Sequence, residues 1–279
     1  MSNSSSKGVA VITGASSGIG AVYADRLAKR GYDLILVARN ETKLKSLSAR
    51  LASETGRSVK VLPADLGNKA DLATVEAALR DDASITLLVN NAGVASVAPL
   101  LNADVEKMND IIDLNITALT RLTYAAAPAF VARGAATIIN IGSVVGVSPE
   151  ALNGVYGASK AYVLALSHSL QHELAEKGIR IQAVVPGATA TDLWERAGLP
   201  WQKLPAEIVM STEDMVDAAL AGLDQAELVT IPGLQDGDEW TRFEAARRAI
   251  SEHFGKSVPA PRYRTAESHK ARERTATSS

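Results

Sequence analysis

Residues 9–20 read VAVITGASSGIG, an apolar strand that runs directly into a glycine-rich turn and the start of a helix. This order is typical of a nucleotide-binding fold, because the free N–H groups and the dipole of a helix N-terminus favour a phosphate. We expect Gly14 to allow the tight turn, Gly18 to let the backbone approach the phosphate, and Gly20 to let the helix pack closely on the sheet. The spacing differs from the Gly-x-Gly-x-x-Gly dinucleotide fingerprint, so an ordinary strand-to-helix turn is the alternative.

Strands and helices alternate along the rest of the chain. Apolar stretches rich in β-branched residues predict further strands at residues 33–37, 59–62, 87–89, 136–141, 179–185 and 228–231. The alternation predicts an α/β fold: a doubly wound, Rossmann-type parallel sheet of about seven strands with helices on both faces. Since the chain shows no linker, repeat or shift in composition, we expect one domain over residues 1–255, followed by a flexible, charged tail at residues 256–279.

Composition excludes several classes of protein. The 279 residues include 29 basic and 31 acidic side chains and no cysteine. Because the charges nearly cancel, no basic field favours nucleic acid or an anionic membrane. Without cysteine the chain has no disulfide and no thiolate metal site, and we predict no metal site at all. The polar start is unlike a signal peptide and no apolar run approaches membrane-spanning length, so we expect a cytoplasmic protein with a small-molecule partner.

The end of the second predicted strand carries the signal for the choice of dinucleotide. An acidic residue at this place bonds the ribose 2′-hydroxyl of NAD, whereas an arginine accommodates the 2′-phosphate of NADP. Here the strand is followed by Arg39 and Asn40, with no acidic residue. The sequence therefore favours NADP(H) over NAD(H), with a solvated arginine as the alternative.

Two further loops are candidates for contact with a cofactor. Asp65, after the third predicted strand, either bonds an adenine amino group or caps the helix that begins near residue 68. Asn91, Ala92 and Gly93 follow the fourth predicted strand. Small residues with one flexible glycine suit a loop pressed against a flat ring or a ribose, and equally suit an ordinary turn.

The stretch at residues 143–160 contains candidate catalytic side chains. Tyr156 and Lys160 lie one turn apart on a helix predicted from residue 156 to about 177, so they share a face. An ammonium near a phenol favours the phenolate, so we expect Lys160 to lower the pKa of Tyr156 and to make it a proton donor and acceptor near neutral pH. Ser143 would lie at the carboxyl end of the preceding strand, where its hydroxyl can hold a carbonyl oxygen against the phenol. A surface Tyr–Lys pair is the alternative.

Together these residues resemble the short-chain dehydrogenase/reductase family, in its single-domain short branch, over roughly residues 7–233. The matching elements, in chain order, are Thr13-Gly14-x-x-x-Gly18-x-Gly20, Asn90-Asn91-Ala92-Gly93, Asn115, Ser143, Tyr156-x-x-x-Lys160 and Pro186-Gly187. The resemblance implies an NAD(P)-dependent oxidoreductase, and it implies a dimer or tetramer packed through the helices at residues 104–133 and 156–177.

The resemblance also implies a role for each matching residue. Tyr156 would exchange a proton with the substrate oxygen, while Lys160 lowers its pKa and bonds the nicotinamide ribose. Ser143 would polarise the substrate oxygen, and Asn115 would hold a water that links Lys160 to solvent, in place of its alternative role as a helix N-cap. The implied cofactor contacts are Gly14, Ser16, Ser17, Gly18, Ile19, Gly20, Asp65, Leu66, Asn91, Ala92, Gly93, Pro186, Gly187, Thr189 and Thr191. Because Ser17 stands where NADP-preferring members often carry a basic residue, the preference would depend mainly on Arg39.

Residues 188–212 would form a lid over the substrate. The segment contains Trp194 and Trp201, and Val145 and Leu152 lie near the catalytic candidates. Apolar and aromatic side chains here predict an apolar pocket, with plain packing of both tryptophans as the alternative. We therefore predict a carbonyl reductase that uses NADPH on a small, largely apolar ketone or aldehyde. The alternatives are an NAD-linked alcohol dehydrogenase and a non-catalytic NADP(H)-binding sensor.

Overall fold

A computed structural model describes residues 6–152 and 154–263. The described residues contain a seven-stranded sheet in the order β3-β2-β1-β4-β5-β6-β7, in which every neighbouring pair is parallel. The strands are β1 Val9–Thr13, β2 Asp33–Ala38, β3 Val59–Pro63, β4 Ile85–Asn90, β5 Ala136–Ile141, β6 Ile179–Val184 and β7 Val229–Thr230. The predicted Rossmann-type parallel sheet of about seven strands is confirmed.

Helices connect successive strands. They are α1 Gly18–Lys29, α2 Glu41–Thr55, α3 Lys69–Asp81, α4 Val105–Ile112, α5 Leu119–Arg133, α6 Gly154–Leu174, α7 Asp192–Arg196, α8 Thr212–Asp224 and α9 Gly237–Ser251. Asn68 caps α3 by accepting from the N–H groups of Ala70 and Asp71, so the capping role considered for Asp65 is wrong. Asn115 is not an N-cap either, because it lies inside a π-helical turn, Asp113–Ala118, that joins α4 to α5.

The sheet is buried on both faces, which explains why its strands read as apolar runs. In β1, Ala10 and Ile12 pack into a cluster with apolar residues of α1, α2 and α8. Val11 points to the other face and packs with residues of α3, α5 and α6. A parallel sheet that is covered in this way has no polar face, so its strands lack the alternation of a half-buried sheet.

The strand order also fixes where a ligand binds. β1 lies between β2 and β4, and the chain winds outward from it in both directions. In open parallel sheets, such a reversal of winding leaves a crevice beyond the carboxyl ends of the strands. The motif residues of the sequence follow these carboxyl ends.

The described residues divide into two compact units between Gly233 and Leu234. The first holds the sheet and α1 to α8; the second holds α9, on which Trp240 and Phe243 stack with ring centroids 5.0 Å apart. The single domain expected over residues 1–255 stays a prediction. Residues 264–279 of the expected tail lie outside the described residues, and Pro261–Tyr263 form a 3-10 turn. Each helix in the described ranges is too short or too polar to cross a membrane.

Candidate active site

A cleft of about 570 Å³ opens along the carboxyl ends of β1, β2, β4, β5 and β6. The site residues predicted from sequence that line it are Gly14, Ser16, Ser17, Gly18, Ile19, Arg39, Asn40, Asp65, Leu66, Asn91, Ala92, Gly93, Ser143, Val145, Leu152, Tyr156, Lys160, Pro186, Gly187, Thr189, Thr191 and Trp194. Three other predicted residues, Gly20, Asn115 and Trp201, are not part of the cleft wall.

The glycine-rich turn forms one end of the cleft. Gly14 and Gly18 have φ values of +66° and +54°, in the left-handed region that favours glycine. A Cβ on Gly14 would lie 2.8 Å from Asn91 Nδ2, and a Cβ on Gly18 would lie 3.2 Å from Thr191 Cγ2. A Cβ on Gly20 would collide with the carbonyl oxygen of Gly14, so Gly20 acts behind the wall by letting α1 approach the turn.

The N-terminus of α1 is open towards the cleft. Its N-cap, Ser17, makes no side-chain capping bond, and the first turn contains no acidic residue. The first N–H groups of α1 therefore have no side-chain cap, and they carry the positive end of the helix dipole. This arrangement suits an anionic group such as a pyrophosphate.

Thr13 fixes the loop after β4 against this turn. Its buried hydroxyl donates to Val89 O at 3.2 Å and accepts from the N–H groups of Asn91 at 2.9 Å and Ala92 at 3.0 Å. In return Asn91 Nδ2 donates to Thr13 O at 2.8 Å. The sequence motif includes Thr13, but only the structure shows that it joins two walls of the cleft.

The far end of the cleft beyond β2 is cationic. Arg39 and Lys43 both line it and both are exposed. Arg39 Nη1 lies 3.9 Å from Asp65 Oδ2, and Asn40 caps α2 by accepting from the N–H of Lys43 at 2.9 Å. Sequence reasoning missed Lys43, although a lysine in the first turn of the helix after Arg39 was a usable signal.

Ser143, Tyr156 and Lys160 converge at the carboxyl end of β5. The Ser143 and Tyr156 side chains share a hydrogen bond. Lys160 Nζ donates to Ile141 O at 2.9 Å and lies 5.8 Å from the centroid of the Tyr156 ring. The tyrosine and the lysine are both buried, so a group held at this wall would meet a phenol, a hydroxyl and an amine away from bulk solvent.

Burial shifts the pKa values of Tyr156 and Lys160 in opposite directions. It raises the pKa of Tyr156 to about 12, although the hydrogen bond from Ser143 works in the opposite direction. Burial lowers the pKa of Lys160 to about 8. The expectation that Lys160 brings the pKa of Tyr156 near neutrality is therefore wrong for this structure, because desolvation of the phenolate is the larger effect.

Asn115 lies behind the cleft wall and its side chain is bonded to protein. Its Oδ1 accepts from the N–H of Val94 at 2.9 Å, and its Nδ2 donates to Val94 O at 2.9 Å and to Ser159 Oγ at 3.0 Å. A Cβ on Gly93 would lie 3.1 Å from Asn115 Oδ1 and 3.7 Å from Lys160 Nζ, so the asparagine and the lysine border the same glycine. The role of holding a water stays a prediction.

The substrate end of the cleft is mostly apolar. Wall residues that sequence reasoning did not single out as substrate contacts include Val94, Ala95, Val97 and Leu114, and Leu193 of the predicted lid segment joins them. Trp194 joins this wall, whereas Trp201 begins a separate 3-10 turn, Trp201–Lys203. The part of the chain described here contains no cluster of His, Asp and Glu arranged to hold a metal ion.

The predicted lid is tied to the body of the unit at several points. Met210 N donates to Ala188 O at 2.9 Å, and Ala190 N donates to Met210 O at 3.0 Å. Val97 N donates to Ala197 O at 3.4 Å, which joins the segment to the loop after β4. The bonds at residues 188–190 and 210 join its two ends to each other, and the lid role stays a prediction.

Comparison with known proteins identifies the family. Residues 8–199 match the family described as short chain dehydrogenase. A short-chain dehydrogenase from Sphingobium yanoikuyae, solved in complex with NADPH, is 49% identical, with a TM-score of 0.90, and the match covers 92% of this chain and 100% of that one. The bulky-bulky ketone specific alcohol dehydrogenase from Comamonas testosteroni is 42% identical, with a TM-score of 0.86, over 94% of this chain and 100% of that one.

An uncharacterised oxidoreductase from Staphylococcus epidermidis is 32% identical over 224 residues, which cover 80% of this chain and 94% of that protein. The match to the family model extends through most of the chain and includes the strand, glycine turn, Ser143, Tyr156 and Lys160 described above. The chain therefore belongs to the short chain dehydrogenase family, and it is an NAD(P)-dependent oxidoreductase of alcohols and carbonyl compounds.

Proposed function

We propose that this enzyme uses NADPH to reduce a largely apolar ketone or aldehyde. The observation that carries the proposal is one continuous cleft that places two cations and a glycine cradle at one end, and Ser143, Tyr156 and an apolar wall at the other. Two relatives support it: one was solved with NADPH, and another is described as specific for bulky-bulky ketones.

The residues at the first end fit a dinucleotide. The turn at Gly14 and Gly18 has the left-handed backbone that favours glycine and packs closely on Asn91 and Thr191, and the uncapped N-terminus of α1 suits the pyrophosphate. Asn91, Ala92 and Gly93 would line the ribose and ring, while residues 186–191 would hold the carboxamide end. When bound, the nicotinamide supplies the hydride for reduction.

The protein would supply the proton. With a pKa of about 12, Tyr156 carries its proton at neutral pH and can donate it to the carbonyl oxygen during reduction. Ser143, already hydrogen-bonded to Tyr156, would hold the same oxygen. Lys160, whose pKa is about 8, is mostly charged at neutral pH and would stabilise the phenolate that forms.

Arg39 and Lys43 would select the cofactor. A guanidinium and an ammonium at the end of β2 match the 2′-phosphate of NADPH, and they leave the 2′-hydroxyl of NADH without an acidic partner. Asp65 lies 3.9 Å from Arg39 and would compete with that phosphate, so we expect a moderate preference for NADPH.

Tryptophan fluorescence during titration with NADPH and NADH tests the cofactor assignment. We expect NADPH to bind more tightly, and we expect Arg39→Ala and Lys43→Ala each to weaken NADPH binding by about 10-fold, because each removes one charge-assisted contact. NADH binding should change little in either variant. Equal or tighter binding of NADH by the wild type would contradict the selectivity and favour the NAD-linked alcohol dehydrogenase.

A panel of apolar ketones and aldehydes then tests the reaction through consumption of NADPH. The control is Tyr156→Phe, which should keep NADPH binding and lose turnover. NADPH binding without turnover on any carbonyl or alcohol would favour the non-catalytic sensor.

Two expectations remain predictions. They are the assembly into a homodimer or homotetramer and the cytoplasmic location. Neither is needed for the reaction proposed here.

A further inference from the structure

Ser159 lies on α6 between Tyr156 and Lys160, and its side chain points away from the cleft. It is fully buried, at 0% exposure, and it is not part of the cleft wall. Its hydroxyl donates to the carbonyl oxygen of Tyr156 at 2.8 Å and accepts from Asn115 Nδ2 at 3.0 Å. One hydroxyl thus joins the first turn of the catalytic helix to the π turn that carries Asn115.

The contact continues from Asn115 to the loop after β4. The asparagine amide pairs with both the N–H and the carbonyl of Val94, each at 2.9 Å. Val94 lines the cleft in the loop after β4. Ser159 and Asn115 therefore connect the backbone of Tyr156 with the loop after β4, whose Val94 packs against the cluster that contains Tyr156.

We propose that Ser159 is a positioning residue for the reaction, holding the turn of Tyr156 and Lys160 in register with Asn115 and the loop at Val94. Its effect on rate rests on the carbonyl reduction proposed above, whereas the structural coupling does not. In Ser159→Ala, Asn115 Nδ2 loses this acceptor at a site where the asparagine is 2% exposed. The turns must then shift to satisfy the donor, and small shifts of this kind lower rates without contact with substrate.

Ser167 on the same helix provides a matched control. It is also 0% exposed, its hydroxyl donates to Val163 O at 2.8 Å, and it accepts from Asn140 Nδ2 at 3.0 Å. Each of the two serines donates to a carbonyl of α6 and accepts from an asparagine side chain. Ser167, however, lies about two turns further along α6 and is not part of the cleft wall. Ser167→Ala therefore reproduces the loss of a buried hydroxyl without disturbing the turn of Tyr156.

The test compares the two alanine variants by two readouts. The first is steady-state reduction with NADPH, where we expect Ser159→Ala to lower kcat by about 10- to 100-fold with little change in KM for NADPH. The second is hydrogen exchange at the amide of Val94 in the protein without cofactor or substrate, where Ser159→Ala should increase the exchange rate. Ser167→Ala should leave kcat and Val94 exchange within about twofold of the wild type.

The two readouts separate the inference from the proposed function. If no carbonyl substrate is turned over, the proposed function fails, and exchange at Val94 still decides whether Ser159 couples to that loop. Unchanged exchange at Val94 in Ser159→Ala, or a fall in kcat no larger than that of Ser167→Ala, overturns the inference. Should Ser159→Ala fail to fold, Ser159→Cys replaces the hydroxyl by a slightly larger thiol that weakens both hydrogen bonds, and the same two outcomes apply to it.

Discussion

Replacing Lys160 by methionine should stabilise the protein at neutral pH while it removes the amine proposed to take part in the reaction. Burial lowers the pKa of Lys160 from 10.5 to about 8, and each pKa unit corresponds to about 1.4 kcal/mol, so the charged lysine costs about 3 kcal/mol of folding free energy near pH 7. The variant also loses the bond from Nζ to Ile141 O, worth about 1 kcal/mol. The expected net gain is therefore about 2 kcal/mol near pH 7.

The gain should depend on pH with a definite sign. Between about pH 8 and 10.5 the unfolded lysine holds its proton and the folded one does not, so the stability of the wild type rises with pH across this window. The methionine variant lacks this rise, and its advantage should disappear towards pH 10. Tyr156 adds the opposite trend to both proteins: its pKa is raised from 10.0 to about 12, so its contribution is complete below pH 10 and is lost as pH rises through 12.

Urea unfolding of wild type and Lys160→Met at about pH 7 and about pH 9.5, at one protein concentration, measures the difference. Tyr156 is present in both proteins, so the change in their stability difference between the two pH values comes from Lys160. A difference in unfolding free energy that is the same at the two pH values would refute the assignment of a buried, destabilising ammonium. A variant that is less stable near pH 7 would refute it as well.

Gly146→Ala should destabilise the protein by about 1–3 kcal/mol in urea unfolding, because its Cβ would lie 2.7 Å from the backbone of Lys160 and must displace α6. Gly154→Ala, where a Cβ meets nothing within 4 Å, should not lower stability, and an equal loss in both variants would contradict this reasoning. Trp194→Ala should lower kcat/KM for an apolar ketone by about 10-fold, because its ring lines the cleft, with the affinity for NADPH unchanged. Trp201→Ala should stay within about twofold of the wild type, and a similar loss in both variants would show that the lid acts as a whole.

The fold was readable from the sequence because its signals are local. The turn from β1 into α1 needs left-handed glycines at fixed places, and Gly14 and Gly18 supply them. Burial of both sheet faces makes each strand an apolar run that stands out between helices. The predicted strand at residues 228–231 was found as Val229–Thr230, so its place was right and only its length was too long.

The parts that sequence reasoning missed depend on tertiary packing. Spacing placed Lys160 one turn from Tyr156, but it carried no measure of burial, and burial decides both pKa values. Trp194 and Trp201 occupy the same apolar segment, and only the turns between them determine which ring reaches the cleft. The partners of Asn115 come from residues 21 and 44 positions away, a relation that no local pattern shows.

The bond from Lys160 Nζ to Ile141 O attaches the amine of the proposed proton-transfer group to the end of β5. Ser143 follows the same strand end, and Tyr156 and Lys160 lie on α6, so the hydroxyl, the amine and the phenol are positioned by β5 and α6. Leu152, in the joining segment, lines the cleft but has no part in this bond, so its substitution should change the apolar wall and leave the amine in place. Because the connecting segment and the strand and helix contribute different side chains to the cleft, a fold of this kind can acquire new substrates through changes in the segment while the residues on β5 and α6 stay the same.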